Sequence, residues 1–75
     1  MNKKSADVFI YIQPRPESEI ASTVAEKIGR LSGVDESSAK LDHLLAVQYD
    51  PRSISTTTIL NVIKQNGYTG ALVGM

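Results

Sequence analysis

The chain has 75 residues, of which 41% are hydrophobic, with eight basic and eight acidic side chains and no cysteine. This length suits one domain, residues 1–75, with an ordered core expected at about 7–73. The missing thiols exclude disulfides, thiolate catalysis and thiolate metal sites, and the balanced charge gives no reason to expect nucleic acid or an anionic membrane as partner. No apolar run approaches the ~20 residues of a membrane span. The basic N-terminus lacks an apolar stretch behind it, so we expect a cytoplasmic protein.

The first predicted elements are a strand and a helix joined by two prolines. Residues 7–13, DVFIYIQ, alternate between two faces, which indicates a strand. Pro14 and Pro16 end this strand because proline has no N–H for a sheet ladder, and we expect Pro16 in the first turn of the helix. Glu17 and Glu19 follow in that turn, where the helix dipole favours negative charge.

Apolar residues at helical spacing define the first helix. They form one stripe, which consists of Ile20, Val24, Ile28 and Leu31. We expect this helix to continue to about Ser32 and to end at Gly33.

Two strands, a second helix and a last strand follow. Ala39 and Leu41 are predicted to share a face of a polar edge strand, and Asp42 and His43 form a tight turn into the strand LLAVQYD. Ser55 is the expected N-cap of the second helix, with Ile54 and Ile59 forming a hydrophobic staple around it. The helix ends near Gly67, and residues 68–73, YTGALV, complete the pattern.

The predicted order is therefore strand, helix, strand, strand, helix, strand. This order is typical of the ferredoxin-like α+β fold, a βαββαβ sandwich in which two helices cover one face of a four-stranded antiparallel sheet. The fold hosts many functions, so it decides none of them alone.

Three segments carry a resemblance to a known family: LSGV at 31–34, VQYDPRSIS at 47–55 and ILNVIKQNGY at 59–68. They resemble the heavy-metal-associated domain family of small copper chaperones and of N-terminal modules of metal-pumping P-type ATPases. The family's metal loop, Met-x-Cys-x-x-Cys, would place methionine at Arg15 and cysteines at Glu17 and Ile20. None of the three matches, and copper(I) selects sulfur ligands. We therefore expect no metal site by the family motif, no high-affinity copper(I) and no cofactor, and we interpret Ile20 as part of the buried stripe.

The expected fold brings several polar residues to one end of the sheet, where the first strand ends and the second turns into the third. Glu17, Glu19, Asp42, His43 and Tyr68 should share this end, called the rim below. One interpretation is a weak metal site through Glu17, Glu19 and His43, with zinc or a similar borderline ion. The other is that the acids complement a helix dipole and that His43 is a solvated turn residue.

A second surface is the open face of the sheet, which carries no helix. It is predicted to expose Phe9, Tyr11, Leu44 and Ala46 as an apolar patch, and such patches often mark contact surfaces. Stacking of RNA bases there is disfavoured, because the third strand offers Leu44, Ala46 and Gln48 instead of aromatic and basic residues. Homodimerisation or docking of another protein is the resulting hypothesis, with a small exposed apolar area as the alternative.

The sequence predicts no enzyme, since no nucleophile with a nearby base, paired carboxylates or phosphate loop is evident. The resemblance and the missing thiols favour a cysteine-less heavy-metal-associated-like domain that acts as a protein-interaction or regulatory module, linked to metal transport. The alternative is a metal-binding or metal-trafficking protein with non-thiol ligands. The predicted interaction residues at the rim are Arg15, Glu17, Glu19, His43, Lys64 and Tyr68.

Overall fold

Six elements alternate in the order that the sequence predicts. The computed structural model describes residues 5–41 and 43–73, with β1 (Ala6–Gln13), α1 (Ser18–Gly29), β2 (Val34–Leu41), β3 (Leu44–Tyr49), α2 (Thr56–Gln65) and β4 (Thr69–Val73). The strands form one antiparallel sheet in the order β2-β3-β1-β4, so polar β2 is an edge strand as expected. The predicted ferredoxin-like fold is confirmed. Within the described residues, neither helix is long and apolar enough to cross a membrane.

The core lies between the sheet and the two helices. Val8, Ile10 and Ile12 of β1 are buried while the residues between them are exposed, which fixes the two faces of the sheet. The remaining buried core residues come from both helices, from β3 and from the segment before α2: Ala21, Val24, Ala25, Ile28, Leu45, Val47, Ile54, Ile59 and Ile63. Each fully buried Ile or Leu side chain stabilises the fold by roughly 1.5–3 kcal/mol.

Helix α1 is shorter than the sequence predicts at both ends. Pro16 is buried but lies outside the helix, and Glu17 is the N-cap with an extended backbone, so only Glu19 occupies the first turn. The helix ends at Gly29 instead of Ser32. Gly33 lies in the following turn with φ +100°, where an added Cβ would lie 2.9 Å from Ile54 Cγ2. Gly33 is therefore required by the approach of this turn to Ile54 and is not the helix stop.

Strand β2 departs from strict alternation near the rim. Ala39 pairs with the buried Leu45, whereas Leu41 pairs with Leu44, and the register shifts between Ala39 and Leu41. Because directly opposed residues share a face and Leu44 pairs with Tyr11, this irregularity moves Leu41 to the open face. Leu41 is 56% exposed, so the prediction that it shares a face with Ala39 is wrong.

The turn from β3 into α2 is organised by Asp50. The backbone N–H of Arg52 donates to Asp50 Oδ1 at 3.0 Å, and the Ser53 hydroxyl donates to Oδ2 at 3.2 Å. These bonds, the first above all, hold the pKa of the Asp50 carboxyl below its ordinary value. Ser55 then caps α2 as predicted, since its Oγ accepts from the Thr58 N–H at 3.3 Å.

Helix α2 and strand β4 pack at unusually close range. The helix ends at Gln65, and Gly67 follows with φ +90°, close to the predicted end. In β4, a Cβ added at Gly70 would lie 2.7 Å from Leu60 Cδ2 and 2.9 Å from Ile63 Cδ1. A side chain at position 70 would therefore require the Leu60 and Ile63 side chains to shift.

Candidate functional site

The rim contains a bonded cluster of Tyr11, Arg15 and His43. Arg15 Nε and Nη2 lie 3.3 Å and 3.1 Å from His43 Nδ1. The His43 ring stacks on Tyr11 with 5.4 Å between centroids and 10° between planes. The His43 carbonyl also accepts from the Ile12 N–H at 2.8 Å, so the turn between β2 and β3 is fixed to the end of β1.

This geometry assigns the hydrogen-bond roles within the cluster. A guanidinium only donates hydrogen bonds, so His43 Nδ1 is the acceptor in its contacts with Arg15. Arg15 is exposed and contacts the ring through Nε and Nη2, and no acceptor among residues 5–41 and 43–73 is found for its Nη1. The cluster therefore presents a positioned cation beside a flat stack of two rings, which suits a carboxylate-bearing partner.

The two predicted acids lie at the start of α1. Glu17 is exposed and its side chain makes no capping hydrogen bond, whereas Glu19 is exposed in the first turn. A negative charge at either position is favoured by the helix dipole, by roughly 0.3–1 kcal/mol for an exposed group. The acids therefore stabilise α1 and leave their oxygens accessible at the surface.

Ile20 occupies the position where the resemblance would place the second cysteine. It is partly buried and packs against the core cluster, as the sequence interpretation predicts. Together with Glu19, Thr23, Asn66 and Tyr68 it lines a shallow cleft of about 350 Å³ between α1 and the end of α2. The cleft brings Glu19 and Tyr68 together, while Lys64 is exposed in the last turn of α2. The predicted interaction residues thus include two local groups, Arg15 with His43 and Glu19 with Tyr68.

The open face shows the predicted patch in a defined register. Phe9 pairs with Ala46 and Tyr11 with Leu44, so the four residues are direct neighbours on β1 and β3. Phe9 is 37% and Tyr11 41% exposed. Leu41 joins this patch through the irregularity in β2.

Sequence reasoning missed two features of the site. One is the position of Leu41 on the open face, because nothing in KLDHL marks the register shift of β2. The other is the bond between Arg15 and His43, which joins residues 28 positions apart. The sequence predicts Arg15 and His43 at the rim. The expected topology is the only signal in the sequence that these two residues could be in contact.

The donors at the rim do not fit a soft metal ion. Arg15, Glu17 and Ile20 offer a guanidinium, a carboxylate and a hydrocarbon where the resemblance implies sulfur, and copper(I) selects thiolate or thioether ligands. Within residues 5–41 and 43–73, no group of three or more His, Cys, Asp or Glu side chains is placed to hold a metal ion. The three alternative ligands, Glu17, Glu19 and His43, are therefore not brought together as a set, and Asp42 lies outside the described residues.

Comparison with known proteins relates the chain to solved structures alone, since no family model and no curated protein matches it. Oxidised MerP from Ralstonia metallidurans CH34 shares 17% identity over 93% of this chain and 99% of that chain, with a TM-score of 0.84. A putative copper-ion-binding protein from Bacillus anthracis shares 15% identity over 93% and 100%, with a TM-score of 0.81. A copper binding domain from a P-type ATPase shares 16% identity over 91% and 93%, with a TM-score of 0.80. These similarities show that the chain has the fold of these proteins, as the resemblance implied.

Proposed function

We propose that this chain is a protein-interaction domain of a metal transport system, in which the rim binds a partner protein and no copper(I) site is retained. The observation that carries the proposal is the packing of Ile20 against the core at the position of the second expected thiol. The isoleucine side chain is a hydrocarbon without a donor atom, so this position cannot supply a metal ligand. The segment from Arg15 to Ile20 acts as structure and as a recognition surface, without catalytic activity.

The charge pattern of the rim supports a protein partner. Arg15 is positively charged, and Glu17 and Glu19 on the same segment are negatively charged, with all three side chains exposed. Such a mixed surface discriminates between partners because like charges placed opposite each other are strongly unfavourable. The bonds of Arg15 to His43 hold its side chain in place, which reduces the entropy lost when a partner binds.

The link to metal transport rests on the fold. Structures that share it include a copper binding domain of a P-type ATPase and a putative copper-ion-binding protein. The proposed partner is therefore a soluble domain of a metal transporter or a metal carrier in the cytoplasm, which recognises the rim without transferring an ion to it.

The metal half of the proposal is tested by NMR titration. Amide spectra of the uniformly ¹⁵N-labelled chain are recorded while zinc, copper(I), copper(II) and nickel are added separately. We expect no localised, saturable shifts at Glu17, Glu19 and His43, because these residues do not form a ligand set. Saturable shifts confined to these three residues would instead establish the alternative function, metal binding through non-thiol ligands.

The partner half is tested by crosslinking in the source cells. A photoreactive amino acid replaces Glu17, and the adduct is identified by mass spectrometry with and without the further substitution Arg15→Gln. We expect one dominant adduct that is lost with Arg15→Gln and retained with the matched control Arg30→Gln, since Arg30 lies at the other end of α1. An adduct pattern insensitive to Arg15→Gln would overturn the assignment of the rim.

A further inference from the structure

Charged residues lie at both ends of the open face of the sheet, with an apolar centre between them. Phe9, Ala46 and Ser38 lie side by side in one row across β1, β3 and β2. Glu36 and Asp7 lie in the next row away from the rim, where each pairs with Gln48 of β3. The end of the face nearest the rim carries Lys40 and Leu41 on β2, and Leu44 and Tyr11 on the neighbouring strands.

The face is therefore acidic at one end, basic at the other and apolar between them. A shallow depression of about 280 Å³ lies across this region and is bordered by Asp7 and Glu36 on the acidic side and by Lys40 on the basic side. Glu36 precedes Ser38 and Lys40 follows it along β2, with the register shift lying between Ala39 and Leu41, so the acidic and basic side chains lie on opposite sides of the central row. This distribution is self-complementary about an axis that runs along the central row.

We propose that this face binds a second copy of the chain in a symmetric, face-to-face dimer with the strands of the two sheets antiparallel. A two-fold axis along the central row places Glu36 of one protomer opposite Lys40 of its partner, and the symmetry makes this pair twice. The same operation places Asp7 opposite Tyr11, whose hydroxyl can donate to the carboxylate. A two-fold axis parallel to the strands would instead place the acidic end of one copy against the acidic end of the other, which disfavours that orientation.

The centre of the proposed interface is apolar and suits sheet packing. Phe9 of each protomer lies near the axis, where the two rings can form an offset pair, and Ala46 and Ser38 beside it are small enough for the sheets to approach to about 10 Å. Tyr11, Leu41 and Leu44 extend this centre, and Leu41 is 56% exposed in the single chain. The formal net charge of the chain is zero, so no long-range repulsion opposes association of two copies.

The size of the face sets the expected strength of the dimer. Four strands spaced about 4.8 Å apart and about six residues long give a face of about 400 Å² per copy. This is about half of the roughly 800 Å² per partner that a specific, stable interface typically buries, which corresponds to a weak, transient contact. The dimer is therefore a reversible one that forms as the concentration rises from the micromolar to the millimolar range.

Charge reversal across the proposed interface provides the test, with sedimentation equilibrium as the measurement. We expect Lys40→Glu alone and Glu36→Lys alone each to weaken self-association about tenfold. Each change converts the two exposed Glu36–Lys40 ion pairs of the dimer into pairs of like charge. The equimolar mixture of the two variants should associate more tightly than either variant alone, since each variant supplies the charge that the other needs. Arg30→Glu, a reversal on the helix layer at a side chain that is 75% exposed, should leave self-association unchanged.

An apolar substitution provides a second, independent readout. Phe9→Ser should abolish the dimer, whereas Leu72→Ser should not, because Leu72 pairs with the buried Ile10 and so faces the helix side despite being 47% exposed. Circular dichroism confirms that each variant is folded. A wild-type chain that stays monomeric at millimolar concentration would overturn the proposal, and so would a dimer that is insensitive to Phe9→Ser and to both charge reversals. The rim takes no part in these tests, so they are independent of the proposed function.

Discussion

Restoring the missing sulfur ligands should give the chain a copper(I) site. The triple substitution Arg15→Met, Glu17→Cys and Ile20→Cys creates the Met-x-Cys-x-x-Cys pattern that the resemblance implies for this segment. Copper(I) favours thiolates, and the start of α1 stabilises the negative charge of a thiolate next to it. We expect the reduced variant to bind one copper(I) ion, whereas the wild-type chain binds none.

The expected change in the unfolding free energy of this variant follows from the burial of Ile20. Exchanging isoleucine for cysteine removes the equivalent of two methylene groups from a side chain that is partly buried against the core. At about 0.8 kcal/mol per fully buried methylene, and with most of the side chain buried, the metal-free variant should lose about 1 kcal/mol of unfolding free energy. Copper(I) at a free concentration 100 times its dissociation constant adds about 2.7 kcal/mol, so the loaded variant should be more stable than the wild type.

The assay is equilibrium urea unfolding under anaerobic, reducing conditions, combined with competition against a chromogenic copper(I) chelator. The matched control carries Glu17→Ser and Ile20→Ser with Arg15→Met, which produces a similar loss of packing without thiols. This control should be destabilised with or without copper(I). A reduced, folded triple variant that fails to compete with the chelator would refute the assignment of residues 15–20 to the position of the metal loop.

Three further predictions concern the fold that positions the rim. Ser37 Oγ is buried and has no hydrogen-bond partner among the described residues, so Ser37→Ala should leave the unfolding free energy unchanged or raise it by about 1 kcal/mol in urea titrations; a clear loss would contradict this. Gly70→Ala should lower it by about 1–3 kcal/mol, because the new methyl group would overlap Leu60 and Ile63; a neutral result would mean that α2 moves away easily. Asp50 has a lowered pKa in the folded state, so its contribution is present above its ordinary pKa of 3.8 and is lost as the pH falls through the lower folded value. The stability advantage of the wild type over Asp50→Asn should therefore be constant near neutral pH and shrink under acid conditions, and an advantage that persisted to the lowest pH would contradict the shift.

The fold was predictable because local patterns agree with the final structure. The alternation of residues 7–13 gives both the strand and its buried face, and Val8, Ile10 and Ile12 are indeed the buried set. Ser55 was identifiable as a cap from its position before an apolar helical pattern, and its Oγ makes the expected bond. In each case the chemistry that decides the structure lies within a few residues of sequence.

The errors arose where a distant part of the chain decides the local structure. The sequence predicts Gly33 as the stop of α1, since a glycine after an apolar stripe is a typical helix end. In the structure Gly33 has a positive φ and leaves no room for a Cβ beside Ser53 and Ile54, about twenty residues further along, and the helix has already ended at Gly29. Leu31 still packs against the core, but from the turn instead of the helix.

The candidate site was predictable to the level of its location and no further. The topology places Arg15 and His43 at one end of the sheet, but the orientation of each side chain depends on the other and on the Tyr11 ring beneath the imidazole. Hydrogen bonds between exposed residues far apart in sequence leave no periodic signal. The same holds for Leu41, whose face is decided by a register shift against β3.

The two proposed surfaces have a geometric relation that bears on how the chain would act. The rim lies at the basic end of the open face, next to Tyr11, and the proposed dimer aligns this end with the acidic end of the partner protomer. The two rims of the dimer therefore lie at opposite ends of the assembly. Two rims held in fixed relation raise the effective affinity for any partner that displays its own binding site in several copies, without a new contact at either rim. Weak self-association through a small face can thus convert a modest single-site affinity into a concentration-dependent response to a clustered partner.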